Sequence, residues 1–485
     1  MEKNLQQFQE RRRLAQSGGG ADRIKQQHEK EKATARERIA VLLDEGSFTE
    51  IGLFAGSVPE GAEIENPAEG VVTGCGTVEG KRVYLFAQDY TVAGGAVGEI
   101  HAAKICRILD LAGENGAPVI GLYDSAGVRV DEGLGALEGY GSILSRQALY
   151  SGVIPQIAVV MGPCAGGAAF LPALTDLVVM VEGSGAIFVT GPQVIAAVTG
   201  EDTSVEEIGD ARVHGSMSGA AHLLAGDDTA ALKSVRSLMS YLPPNNLEDP
   251  PAAEPRETDD REELLQIVSG EGKPYDVREV IRRVVDMDSF LELHGDYAEN
   301  AVIGFARLDG GAVGIVANQP LVKDGCLDID AAAKIARFVR FCDSFNLPLF
   351  TFVDLPGYLP GVAQEQGGIV RHGAKVFYAY AGATVPKISL VLGRAYGSAA
   401  VAMSSRSLGA DLCLAWPSAE IAVLGPGGAA KAGDKAAGPY AAAARGWIDE
   451  IIDPRESRDH LRRALLAAGN KRSTRPPRKH GNIPL

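Results

Sequence analysis

The sequence is short of the groups that lead conventional catalysis. It has no G-x-x-x-x-G-K-[ST] loop, no H-E-x-x-H and no G-x-S-x-G, and its eight histidines do not pair at metal-ligand spacing. These absences exclude a P-loop nucleotide site, a zincin metal centre and a serine-hydrolase elbow, and they leave a nucleophile-led mechanism without a candidate. The six cysteines, Cys75, Cys106, Cys164, Cys326, Cys342 and Cys413, form no C-x-x-C pair, and most sit in apolar text. Reduced core cysteines are therefore expected, with neither a disulfide framework nor a zinc ribbon. Positive charge is also in deficit: the formal net charge is −15, which argues against general affinity for nucleic acid or an anionic membrane. The opening M-E-K-N-L-Q-Q-F-Q-E lacks the apolar core of a signal peptide. The longest apolar stretch, Ile154 to Val181, is broken by Pro155, Gln156, Pro163, Pro172 and Asp176. A soluble, cytoplasmic protein without a metal is the expectation.

What is present favours a large α/β protein. At 485 residues the chain exceeds one ordinary core, and 46% hydrophobic with 22% charged residues is normal for a globular protein. The 59 glycines point to tight turns and close helix packing. Residues 1–40 and the tail after Pro454 are rich in Lys and Arg, and most of these charges read as solvated helix faces.

Ten residues organise the rest: Met161 to Phe170, M-G-P-C-A-G-G-A-A-F. They follow an apolar run, Ile154 to Val160, that reads as a buried strand, and they lead into Ala/Leu-rich text that reads as a helix. Gly166 and Gly167 would then place two backbone N–H groups near the positive end of a helix dipole, an oxyanion hole in outline. Paired glycines that only turn a strand sharply into a helix would give the same ten residues.

Residues 1–50 read as polar helices, an arm more than a core, with Thr34 as an N-cap and Gly46 as a stop. V-V-T-G-C-G-T-V-E-G and V-Y-L-F-A-Q-D read as a hairpin or consecutive strands. A helix from Gly98 to about Ala112, the strand P-V-I-G-L-Y-D, a further helix and the strand before Met161 make βαβ units, with ligand loops at the strand C-termini. Leu242 to Glu263 holds five prolines and a run of acids and reads as an exposed linker. It divides the chain into domains at 1–250 and 258–485. After it the text repeats. A-A-K-I at Ala102 returns at Ala332, and at the same shift of 230 Gly95 meets Gly325, Asp124 meets Asp354 and Gly127 meets Gly357. One residue further out, M-G-P-C-A-G-G-A-A meets L-G-R-A-Y-G-S-A-A at Leu392. A register held this long argues for internal duplication, with a glycine turn in each copy.

D-S-A-G-V-R at Asp124, S-G-V-I-P-Q-I at Ser151, M-G-P-C-A-G-G-A and F-V-T-G-P at Phe188 resemble the N-terminal domain of the acyl-CoA carboxylase carboxyltransferase (β) subunits. G-C-L-D-I-D at Gly325, F-V-D-L-P-G-Y-L-P-G at Phe352, Q-E-Q-G-G-I-V-R-H-G-A-K at Gln364 and A-W-P-S-A-E-I-A-V at Ala415 resemble their second domain. Propionyl-CoA carboxylase β and methylmalonyl-CoA decarboxylase α chains are the nearest in texture.

The resemblance implies an α/β fold of two tandem crotonase-like domains, and a homo-hexamer whose active site joins the N-domain of one subunit to the C-domain of its neighbour. It implies acyl-CoA on the first domain, with the thioester oxygen on the amides of Gly166 and Gly167, beside Ala126, Gly127, Arg129 and Ala165. It implies biotin on the second, with its ureido oxygen on the amides of Ser398 and Ala399, beside Gly357 and Gly397. No lysine is flanked by methionine, so biotin is expected on a separate carrier protein, with a biotin carboxylase subunit as partner. Asp124, Arg129, Asp354 and Arg371 fit ion pairs that shape the pocket as well as they fit ligand contact.

The chain departs from the family pattern in three places. Gly397-Ser398-Ala399-Ala400-Val401 stands where relatives read G-G-A-Y-D, so Ala400 and Val401 make that part of the acyl-selecting wall smaller and more apolar. S-A-G-V-R with D-E-G replaces S-G-G-A-R with Q-E-G, placing Ala126 near the acyl site. Between Gly428 and Pro439 the chain is shorter than its relatives. The alternatives to carboxyl transfer are decarboxylation of a malonyl-type CoA thioester, with or without biotin, and a non-catalytic paralogue in a mixed hexamer.

Overall fold

The structure is a computed structural model that describes residues 1–56, 67–258, 261–268, 274–425, 438–471, 473, 475–477 and 479–484. The chain forms two compact units, Met1–Glu248 and Asp249–Leu485. The text read as an exposed linker is buried at its start, where Leu242 is fully covered, and exposed from Leu247.

The first unit is built on an eight-stranded sheet of β1 (Thr49–Glu50), β2 (Val71–Val78), β3 (Lys81–Gln88), β4 (Val119–Ser125), β5 (Gln156–Ala165), β6 (Leu177–Val181), β7 (Ala186–Phe188) and β8 (Leu223–Ala225). The order is β1-β2-β3-β4-β5-β6-β8, with β7 paired to β5. β1, β2 and β3 pair antiparallel and the remaining pairs are parallel. The second unit repeats this plan in β9 (Leu291–Leu293), β10 (Ala301–Leu308), β11 (Gly311–Asn318), β12 (Leu349–Leu355), β13 (Lys387–Tyr396), β14 (Leu412–Ala415), β15 (Glu420–Ala422) and β16 (Glu450–Ile451). Its order is β9-β10-β11-β12-β13-β14-β16, with β15 on β13. Every residue of β4 and of β12 is buried, as strands covered on both faces of a parallel sheet require, Asp124 and Asp354 included.

The duplication extends to single hydrogen bonds. Each sheet contains a hairpin, β2–β3 or β10–β11, whose two-residue turn has positive φ at both positions, Glu79-Gly80 and Asp309-Gly310, as a type I′ turn demands. Asp44 accepts the N–H groups of Glu79 and Gly80 at 3.0 and 2.8 Å, and Asp286 accepts those of Asp309 and Gly310 at 2.9 and 2.8 Å. The helices Glu99–Asn115 and Ile329–Ser344 carry the repeated A-A-K-I. Their lysines turn inward, Lys104 donating to the carbonyls of Ala68 and Val71, Lys334 to those of His294, Tyr297, Ala298 and Ala301.

The N-terminal segment corrects the arm reading. Residues 1–50 form helices Glu2–Gln16, Ala21–His28 and Ala35–Leu42, the last opened by a Thr34 capping box. Ala35, Arg38, Ile39 and Leu42 are buried, so this third helix belongs to the body of the first unit. It stops at Leu42, ahead of Gly46, because Asp44 is committed to the hairpin turn.

Candidate active site

In the first unit β5 continues five residues past Val160, to Ala165. Gly166 then takes φ +64°, a conformation only glycine adopts freely, and turns the chain into a 3₁₀ segment, Gly166–Ala169, and one helical turn, Phe170–Ala173. The helix expected here is thus four residues long, because the chain must return at once to β6. So short a helix has little macrodipole. What it offers instead is its first N–H groups, which have no intrahelical acceptor. A Cβ built on Gly166 or Gly167 would meet nothing within 4 Å, and Gly167 is exposed, so there is open space beside the turn.

The second unit makes the same turn. β13 ends at Tyr396, Gly397 takes φ +61°, and the six-residue helix Gly397–Ala402 follows. Register sets Gly166 against Gly397, Gly167 against Ser398 and Ala168 against Ala399. Gly167 and Ser398 are both exposed, while Ala168 and Ala399 are each 1% exposed. The pair Ser398–Ala399 is therefore equivalent to Gly167–Ala168, one residue out of step with Gly166–Gly167. Ser398 has helical backbone, so its N–H keeps the direction that a glycine there would give it.

Neighbouring loops complete each surface. Val97 bridges Val128, with Val97 N–H donating to Gly127 O at 2.9 Å; Leu327 bridges Tyr358, with Leu327 N–H donating to Gly357 O at 3.1 Å. Gly127, at φ +114°, lies so near β5 that a Cβ would stand 3.3 Å from Ala165 O. Ala126 is exposed beside Gly94. The structure thus gathers Ala126, Gly127, Ala165, Gly166 and Gly167 in the first unit. In the second, Gly357 has open space around it, Ala400 is half-buried and Val401 is 40% exposed.

Arg129 is committed elsewhere: its Nη1 donates to Glu69 at 2.7 Å and to Glu132 at 2.6 Å, and the residue is buried. Arg371 is exposed, within 3.3 Å of His372, whose other ring nitrogen lies 3.4 Å from Lys375. Cys164 donates its thiol to Ala168 O at 3.1 Å, and burial pushes that thiol well above the ordinary range, so it stays protonated. Asp124 is wholly buried in ion pairs with Lys32 and Arg38, at 2.7 and 2.8 Å. Asp354 pairs with Arg394 at 2.9 Å and accepts the Tyr275 hydroxyl at 3.0 Å. Sequence reasoning named both aspartates and none of these partners, because spacing carries no signal for pairings this distant. The shortened stretch after Gly428 lies outside the described residues up to 437.

Comparison with known proteins agrees with this construction. The family model of the carboxyl transferase domain matches residues 26–433 and 429–483. The propionyl-CoA carboxylase, carboxyltransferase subunit of Haloferax mediterranei is 48% identical, over 100% of both chains. The methylmalonyl-CoA decarboxylase subunit alpha of Propionigenium modestum is 48% identical, over 100% of this chain and 99% of its own. A crystal structure of the transcarboxylase 12S hexamer, with hydrolysed methylmalonyl-coenzyme A bound, superposes with a TM-score of 0.96 at 48% identity, covering 100% of this chain and 99% of that one. With its two crotonase-like domains, the chain belongs to the carboxyl transferase family, as a carboxyltransferase of the propionyl-CoA carboxylase and methylmalonyl-CoA transcarboxylase type.

Proposed function

We propose that the chain is the carboxyltransferase subunit of a biotin-dependent, cytoplasmic acyl-CoA carboxylase, moving a carboxyl group between carboxybiotin and the α-carbon of an acyl-CoA. The observation that carries this reading is the pair of equivalent turns, each presenting the first N–H groups of a short helix at the carboxyl end of a central strand. Two sets of backbone donors suit two carbonyl-type oxygens that gain charge together.

In the first copy the N–H groups of the Gly166–Ala168 turn hold the thioester oxygen as the enolate forms; Gly167 belongs to both possible pairs there. One such donor contributes about 3–4 kcal/mol to the transition state. Ala126, Gly127 and Ala165 border the acyl group, and Arg129 fixes the loop through Glu69 and Glu132. In the second copy Ser398 and Ala399 would hold biotin through their N–H groups, and Gly357 and Gly397 would leave room for it; the open space at Gly357 supports the fit. Biotin, when bound, supplies the carboxyl group on a ureido nitrogen and the nitrogen that accepts the α-proton. The turns themselves hold no side-chain base, in keeping with this division of labour. Ala400 and Val401 give a small apolar wall that biases the choice of acyl chain. The biotin arrives on a separate carrier protein from a biotin carboxylase subunit, and the chain assembles as a homo-hexamer, by analogy with the transcarboxylase 12S assembly.

The same donors serve the reverse reaction, and the identity with a methylmalonyl-CoA decarboxylase subunit favours decarboxylation as the second reading. Mixing the purified protein with malonyl-, methylmalonyl- and ethylmalonyl-CoA, with and without free biotin, and following CoA products by mass distinguishes them. Biotin-dependent loss of CO2 is the expected result. Loss without biotin means a biotin-free decarboxylase, and silence with CoA binding intact contradicts both.

A further inference from the structure

Each glycine turn is set by a strand bulge, and each bulge by a buried carboxylate. β4 and β5 pair as Tyr123↔Val160 and next as Ser125↔Cys164, so Asp124 alone stands against Met161, Gly162 and Pro163. A Cβ on Gly162 would lie 1.9 Å from Asp124 Oδ1, so this crossing tolerates only glycine. Arg38 spans the bulge. Its Nη1 donates to Asp124 Oδ2 at 2.8 Å, its Nη2 to Met161 O at 3.1 Å and its Nε to Asp228 Oδ2 at 2.8 Å. Lys32 Nζ donates to Asp124 Oδ1 at 2.7 Å, and Gln27 Nε2 to Oδ2 at 3.1 Å.

The same segment grips the adjoining loop. Gly19 N–H donates to Thr91 Oγ1 at 2.9 Å and Arg23 Nη1 to Thr91 O at 3.2 Å. That loop runs on to Gly94, whose carbonyl accepts the Ala126 N–H at 2.8 Å. The N-terminal segment therefore braces both borders of the first turn from behind, without reaching its open face: Lys32 is 7% and Arg38 1% exposed.

We infer that Lys32 and Arg38 are positioning residues for the first glycine turn, holding the β4–β5 bulge so that Gly166–Ala168 present their N–H groups to the acyl thioester. The inference rests on the function proposed above and extends it to residues that touch no substrate.

The test uses the full chain in biotin-dependent decarboxylation of methylmalonyl-CoA, at temperatures well below each variant's melting point so that only folded protein contributes. Arg38→Lys keeps a cation against Asp124 and loses the guanidinium fork that reaches Met161 O and Asp228. Lys32→Gln keeps a donor and removes the charge. Because a misplacement of about 1 Å costs about 100-fold, kcat is expected to fall about 10- to 100-fold. The KM for the CoA thioester should stay within about twofold, since ground-state binding is untouched. A purely structural role would leave the folded fraction turning over at the wild-type rate, and that result in either folded variant overturns the inference. If Arg38→Lys fails to assemble, Lys32→Gln decides. A wild-type protein without this activity overturns the functional proposal instead, and the inference with it.

Discussion

The two units solve one electrostatic problem in different ways. In each, a carboxylate buried at the strand bulge needs partners, since an uncompensated charge there costs several kcal/mol. Asp124 is served by Gln27, Lys32 and Arg38, all at least 86 positions earlier in the chain. Asp354 is served by Arg394, 40 positions later on the strand that forms the turn, and by Tyr275. Register explains the division: the position equivalent to Arg394 is Pro163, which cannot donate. Once that strand lacks an internal cation, the first unit must recruit one, and the helices before β1 supply it. The bulge thus requires a paired carboxylate while leaving the source of the pairing free. As a consequence, the first turn takes its cations from the segment before β1, whereas the second takes only the Tyr275 hydroxyl from the segment before β9 and its cation from its own strand.

The largest expected effect breaks this comparison directly. Arg38→Met takes the guanidinium from two buried carboxylates at once, Asp228 and Asp124, the latter keeping Lys32 and Gln27, and should destabilise the protein by about 3–5 kcal/mol. Arg394→Met, at a side chain 27% exposed with Tyr275 still donating, should cost clearly less. Denaturant melts of the two variants check the order, and equal losses would remove the distinction.

Acid sharpens the contrast. His101 is fully buried, its Nδ1 lies 2.8 Å from Glu69 O, and burial pulls its pKa down from 6.5 to about 3. Between those values the unfolded chain binds a proton that the folded chain does not. The stability from this group is therefore complete above pH 6.5 and falls as pH drops through the window, by about 1.4 kcal/mol per pH unit once titration is well under way. The equivalent position in the second unit is Ala331, which has no such dependence. His101→Gln should flatten the stability curve between pH 6 and 4, read by urea unfolding at each pH; an unchanged slope counts against the assignment.

The smallest effect tests the segment alone. Thr34 caps the helix that carries Arg38, with its hydroxyl accepting the Glu37 N–H at 3.3 Å. Thr34→Ala should cost about 1 kcal/mol. Limited proteolysis should then show earlier cutting before residue 50, with residues beyond 250 unaffected.

Much of this was legible in the sequence where the signal was local or repeated. The hairpins, the alternation of strands and helices, the glycine turns and the duplication all follow from spacing, and the repeat holds down to the paired inward lysines. Three features were hidden for physical reasons. Arg38 sits among residues that read as a solvated helix, and its burial makes sense only once Asp124 is known to lie against it. β5 runs through Gly162 and Pro163, residues that sequence rules treat as strand breakers, because the bulge and the added pairing with β7 accommodate them. The step between Gly166–Gly167 and Ser398–Ala399 appears only when the two turns are superposed by position within the strand, the shift having changed from 230 to 231 inside the repeat.

Under the proposed function, backbone N–H groups of the two equivalent turns hold the two oxygens that gain charge. Gly167→Pro and Ser398→Pro each delete one donor at a helical position early enough to accept proline. Steady-state carboxyl transfer by each correctly assembled variant tests the claim. A loss of about 10²–10³ in kcat for each, with CoA affinity retained, is the predicted result. Wild-type turnover in either would contradict it.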